Sequence, residues 1–274
     1  MVFYQIIEKV AVNYGCLLFL NQRFKKRGVL MAQCIKQTGP TCGIYAFING
    51  MYHINQKKDI SKKQADKMVY SFLEANIVKD DSNSKTGTTF VGEFFDFESY
   101  VSFLNKIKNT FIYENIDYDI KIKDVNYLDD ISVIEDIQKQ NCFVLFSIAT
   151  PISWWNPIKL YRFLKKGSMI SHWIPLYGYD NKKNKFIVAN SSSGKIKGFS
   201  LKTLAKKNKR LKRTTFYWEY YKRSKKRFTL KKNPIEDLVQ AQLKSKEDFL
   251  DKGILIPKIN HTSGKIVIVK KIEK

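Results

Sequence analysis

The sequence predicts an α+β fold, on three observations. Apolar residues recur at helical spacing through the first hundred or so positions, the period then changes to short β-rich apolar runs, and no internal repeat or low-complexity linker separates the two regions. At 274 residues, 44% hydrophobic and 14% aromatic, the chain can bury a sizeable core and is not a disordered polymer.

The N-terminal run Tyr14, Gly15, Cys16, Leu17, Leu18, Phe19, Leu20 is too short to span a bilayer. Glu8 and Lys9 interrupt what precedes it, and basic residues follow rather than lead it, so it is not expected to be an export signal. Cys16, Cys34, Cys42 and Cys142 show no paired CxxC spacing, and with three histidines they supply neither a zinc cage nor a disulfide framework. A reducing, cytoplasmic setting is expected. Residues 1–30 form an N-terminal extension of open role, and the stretch KRGVLM ending at Met31 is compatible with a ribosome-binding site followed by a start codon.

After the Gly39-Pro40 turn, residues 41–53 predict a helix whose apolar face includes Ile44, Phe47, Ile48 and Met51. A second helix is expected from Ser61, where Ser61 and Gln64 have the spacing of a capping box. Residues 80–89 are turn-rich. A third helix is expected over about 91–107, carrying Phe94, Phe95, Phe97, Tyr100, Val101 and Leu104. Residues 129–140 predict a short helix, and NCFVLFSIA (141–149) a central strand. Residues 151–167 form an aromatic loop with Trp154 and Trp155. HWIPLYGYD (172–180) and KFIVAN (185–190), joined by NKKN, predict a hairpin. Asn233-Pro234 opens a helix to about 250, and 253–257 and 265–269 read as strands.

Chemistry enters at QTGPTCGIYAF. The turn delivers Cys42 to the first turn of a helix, where the partial positive charge of the N-terminus is expected to lower the thiol pKa, and Gly43 leaves backbone space beside it. Gln37, with Gln33 as its rival, is placed to bring a side-chain amide beside the Cys42 N–H as an oxyanion donor. Among the histidines, His53 lies at the far end of the same helix, roughly 16 Å away at ~1.5 Å per residue, and His261 falls in a surface turn. His172, opening a strand after a loop, is the best base. Asn190 and Asp180 are the candidates to orient its imidazole, Asp180 sitting where a turn needs stabilising. For Asn190, the period of two sets a condition: an even connection puts it on the face opposite His172, so an odd-length turn or a bulge is expected.

These stretches, QTGPTCGIYAF, the run ending in FVLFSIA, and HWIPLYGYDNKKNKFIVANSSSG, together resemble the papain-like cysteine peptidases, closest to the C39-like family. The likeness covers residues 33–204 or so. It implies a two-lobe fold, with an N-terminal helical lobe carrying the cysteine and an antiparallel β lobe carrying the histidine, over residues 31–204, and a basic C-terminal extension over 205–274 packed on or extending the sheet. It implies catalytic Cys42, His172 and Asn190 with Gln37 in the oxyanion hole, and a Cys-to-His separation of ~130–150 residues fits. The GPTCG form also resembles the actin-maturation peptidases. In many C39 members the glutamine stands one residue further upstream, and Asp-Pro stands where this chain has Asn190-Ser191. The implied activity is peptide hydrolysis through a thioester without metal or organic cofactor; an amine acceptor in place of water would give an acyltransferase or peptide cyclase. Cys34 and Cys142 are expected in the core, and Trp154, Trp155 and Trp173 in packing or along a cleft.

Formal charge is +24, and part of the excess is local. Lys202 and Lys232 bound a stretch holding fourteen Lys and Arg against the single acid Glu219, with FYWEYY between two basic blocks. Such a stretch suits an acidic protein or a nucleic acid, and a noncatalytic binding module using it is the alternative to an enzyme.

Overall fold

In a computed structural model of the chain, the residues described are 33–57, 60–77, 79–81, 84–94, 96–111, 116–151, 169–214, 233–244 and 261–273. The expectations for Cys16, Met31, Trp154, Trp155, the strand at 253–257 and the basic residues 215–232 lie outside them. The mixture of helices and antiparallel sheet makes the fold α+β.

The helices are α1 (Cys42–Ile54), α2 (Lys62–Asn76), α3 (Phe97–Ile107), α4 (Ile131–Gln138), α5 (Leu201–Lys209) and α6 (Pro234–Lys244). At the start of α2, Ser61 Oγ accepts from the Gln64 N–H while the Gln64 side chain accepts from the Ser61 N–H, which completes the expected capping box. The third helix is shorter than the aromatic spacing predicts. Asp96 caps it, its Oδ1 accepting from the Ser99 N–H at 2.6 Å, and residues 90–93 instead form a turn. Helix α5 was read only as the start of a basic block. Its buried positions are Leu204 and Asn208 alone, so it leaves too narrow an apolar stripe for periodicity to register.

The strands are β1 (Lys79–Asp81) and β2 (Ser84–Thr86), which form a small hairpin, and β3 (Ile116–Asp124), β4 (Cys142–Pro151), β5 (Met169–Asp180), β6 (Lys185–Asn190), β7 (Lys195–Phe199) and β8 (Lys265–Glu273). The last six make one antiparallel sheet in the order β3-β8-β4-β5-β6-β7. The C-terminal strand β8 therefore lies inside the sheet, between β3 and β4. Residues from Gln33 onward make one compact unit.

Strand alternation gives the sheet two apolar faces, which explains why β4 is buried along nearly its whole length. On one face α1 packs: Phe47 meets Phe143 at 6.1 Å between ring centres, His53 stacks on Tyr177 at 4.4 Å, and Gly50 lies against the Phe143 ring. On the other, Val144, Phe146, Ile174, Leu176, Val188 and Ile268 form a cluster covered by Val133 and Ile137 of α4 and Leu204 of α5. Asn208, buried on α5, donates to Ser147 O at 3.0 Å and accepts from the Gly264 N–H at 2.7 Å. That pair of bonds ties α5 to β4 and to the turn that starts β8.

Candidate active site

The loop before α1 is built by Gly39, whose φ of +64° suits glycine, and Pro40. Thr41 is the N-cap, yet its hydroxyl does not cap the helix; it turns back to donate to Thr38 O at 2.6 Å. Cys42 is thus the first helical residue, in the first turn where the sequence predicts it, with the helix starting one residue later than the expected Thr41. A second network holds the loop to α2: Thr38, Tyr45 and Lys62 all bond the Asp66 carboxylate.

The hairpin carrying the other two candidates has a four-residue turn, Asn181 to Asn184, with Asp180 paired to Lys185. Asp180 Oδ1 accepts from the Lys182 and Lys183 N–H groups at 3.1 Å, so this carboxylate stabilises the turn. An even turn alone would send Asn190 to the wrong face. The register shifts between Leu176 and Gly178, where Tyr177 is the extra residue of a bulge, and Leu176 then pairs with Val188. Continued from there, the register sets Asn190 across from Ile174 and diagonal to His172. His172 Nε2 and Asn190 Oδ1 meet at 3.1 Å, both residues buried. Because the amide oxygen faces Nε2, that nitrogen carries the proton, and Nδ1 keeps its lone pair.

The next residue along β5 meets the thiol. The Trp173 N–H donates to Cys42 Sγ at 3.5 Å, 131 residues away in the chain. No direct thiol–imidazole hydrogen bond is made; Cys42 and the His172–Asn190 pair are joined through the Trp173 backbone. Aromatic rings wall this junction, with Trp173 4.4 Å from Tyr100 and 5.7 Å from Phe97 between centres. Tyr100 Oη donates to Gly43 O at 2.8 Å, and a Cβ on Gly43 would come within 2.9 Å of the Phe94 ring, which is why a glycine follows the cysteine.

The helix start pulls the thiol pKa down, as the sequence reading expects, but burial outweighs it. Part of Cys42 stays accessible, but the protein packed around its sulfur pushes the thiol up to about 12, and the Glu93 carboxylate adds to the rise. The Trp173, Gly43 and Cys42 amides pull the other way and are outweighed. Burial takes His172 down to about 4, the Asn190 bond opposing and Lys197 assisting. Both groups are therefore neutral in this arrangement.

Gln37 and Gln33 separate cleanly. Gln33 spends both ends of its amide on Ile60, donating to the carbonyl at 2.6 Å and accepting from the N–H at 2.9 Å. Gln37 is tied to the hairpin instead. Its N–H donates to Ser191 O at 2.9 Å, and its Oε1 accepts from Ser191 Oγ at 2.8 Å. Its Nε2 donates one hydrogen to Gly39 O at 2.9 Å, not toward the Cys42 N–H, and keeps a second donor. Ser191, fully buried, is a residue the sequence reading passed over; its position directly after Asn190 was the available signal.

Of the other cysteines, Cys142 is buried and Cys34 partly exposed, so only the first matches the core expectation. An open groove of about 950 Å³ beside α2, lined by Tyr52, Ile60, Met68 and Phe72 among others, includes none of Cys42, His172 and Asn190. Among the described residues no helix is long and apolar enough to cross a membrane. No protein-family model matches the chain, and no curated protein matches it.

Proposed function

We propose that the chain is a cysteine peptidase of the papain-like, C39-like type, acting on a peptide or protein through Cys42, His172 and Asn190. The observation that carries this reading is the convergence at β5. His172 holds Asn190 at 3.1 Å while the next amide holds the Cys42 sulfur at 3.5 Å, which joins one hairpin to a helix start 131 residues earlier in the sequence.

In the proposed reaction, the unprotonated Nδ1 of His172 takes the Cys42 proton as substrate enters. Catalytic hydrogen bonds commonly tighten only in the substrate complex, in keeping with a free-state thiol that is neutral and bonded to Trp173. The thiolate attacks the peptide carbonyl. The uncapped N-terminal amides of α1 and the second Nε2 hydrogen of Gln37 stabilise the oxyanion, Ser191 fixing which end of that amide faces it. His172 then protonates the leaving amine, and water resolves the thioester.

An acidic stretch in the substrate fits the charge beside the site. Lys195 pairs across from Asn190 and Lys197 across from Val188, on the same sheet face as His172. Lys207 of α5 has its pKa lowered by burial and by Arg210 and Lys197, so these cations repel one another in the free protein. The test is cleavage of a peptide library by the full chain and by Cys42→Ala. Cleavage that falls by about 10³-fold or more in the variant supports the enzyme. No cleavage, together with salt-sensitive binding of RNA or DNA, supports the noncatalytic module instead.

A further inference from the structure

We propose that Gln242, on helix α6, is a positioning residue for the Cys42 nucleophile, acting through the turn Phe90, Val91, Gly92, Glu93. The inference rests on the reading of Cys42 as the reactive thiol.

The turn is an unusual one for its sequence. Val91 and Gly92 both have positive φ, +51° and +87°, and Phe90 and Glu93 close it as an antiparallel bridge, the Glu93 N–H donating to Phe90 O at 2.8 Å. Glycine takes that backbone freely. A β-branched valine does so only when its surroundings hold it there, and Val91 is fully buried. The Val91 N–H is taken up by Gln242 Oε1 at 2.5 Å, across 151 residues of chain. Gln242 is itself buried on α6, whose Ile235 and Val239 are also buried.

The opposite side of the turn lies on the start of α1. A Cβ on Gly92 would come within 2.8 Å of Thr41 Cγ2, and the Phe94 ring fills the space beside Gly43. Glu93, between them, acts electrostatically on the Cys42 thiol. The turn and the Phe94 that follows it therefore lie against the residues before and after the nucleophile, and the turn carries a carboxylate that raises the thiol pKa. A residue accepting the Val91 amide fixes where that carboxylate stands. A neutral amide side chain suits the task, since it supplies an acceptor without burying a charge.

The titratable groups that act on the thiol are Glu93 on the turn and Tyr100 on α3, and His172 precedes the Trp173 amide that bonds it on β5. The test is the pH dependence of Cys42 alkylation by iodoacetamide, read by mass spectrometry on the full chain. Glu93→Gln is expected to lower the midpoint by about one pH unit. Gln242→Met, which keeps the length and removes the acceptor, is expected to move it the same way, and the double variant no further than Glu93→Gln alone. A Gln242→Met midpoint at the wild-type value overturns the proposal, as does a Glu93→Gln midpoint that does not move. If Gln242→Met does not fold, hydrogen exchange on the unmodified chain decides: the Val91 amide is expected to exchange as slowly as the amides of α1, and fast exchange overturns the proposal. Alkylation reads the thiol whether or not the chain cleaves peptides, so coupled midpoints in a chain without hydrolysis would refute the peptidase reading alone.

Discussion

Asn190 sets the tautomer of His172 with a neutral oxygen, and this choice has a measurable consequence. A carboxylate at the same position would favour the imidazolium, so Asn190→Asp is expected to raise the His172 pKa from about 4 by one to three units. In a pH–rate profile the acid limb should move to higher pH by that amount. An unmoved limb would mean that position 190 does not orient the base. The residue types of the site were legible in the sequence, because Gly-Pro before Cys-Gly and a histidine leading the run HWIPLYGYD are local patterns, although the strand begins at Met169 and not at His172 as expected. The charge states were not. Helix position argued for a low thiol pKa, but packing of the surrounding chain and Glu93, 51 residues further on, raise it.

At the scale of elements, α1 must lie close to the sheet for its first residue to reach Trp173. Gly50 permits that approach. A Cβ there would stand 2.2 Å from the Phe143 ring, which is buried between α1 and β4. Gly50→Ala gains about 1 kcal/mol of helix propensity, but overpacking costs about 1–3 kcal/mol, and Phe143 has little room to yield. Thermal unfolding should show a lower Tm than the parent; a higher one would mean that α1 and β4 are not held this closely. The hairpin was legible to the level of its faces, since the requirement that Asn190 share a face with His172 demanded an odd step and the bulge at Tyr177 supplies it. Strand β3 was missed although Tyr118, Ile120 and Ile122 alternate with charges. Its partner β8 comes from the far end of the chain, and pairing at that distance leaves no local mark. The turn at Val91 was missed because a β-branched residue is not expected at positive φ, and the Gln242 side chain that takes up its N–H stands 151 residues further on.

For the molecule as a whole, two histidines are held neutral by burial, His172 and His53, each at about 4 against an ordinary 6.5. Between those values the unfolded chain binds protons that the folded chain refuses, so stability falls as pH drops from about 6.5 toward 4. Denaturant midpoints at a series of pH values should decline through that window. Midpoints that stay level or rise would contradict the burial of both rings. The α+β class followed from the change of period along the chain, but the order of the sheet did not. It depends on β8 entering between β3 and β4, a long-range choice set by the fit of two apolar faces.

The central claim is that Cys42 is a thiol made reactive by His172 as a peptide binds, and one measurement bears on it most directly. A peptide carrying a thiol-directed electrophile is incubated with the full chain and with His172→Ala, and the modified cysteine is found by mass spectrometry. The account predicts an adduct on Cys42 in preference to the partly exposed Cys34, and its loss in His172→Ala. Equal labelling of Cys34 and Cys42, or labelling of Cys42 that survives His172→Ala, would contradict it.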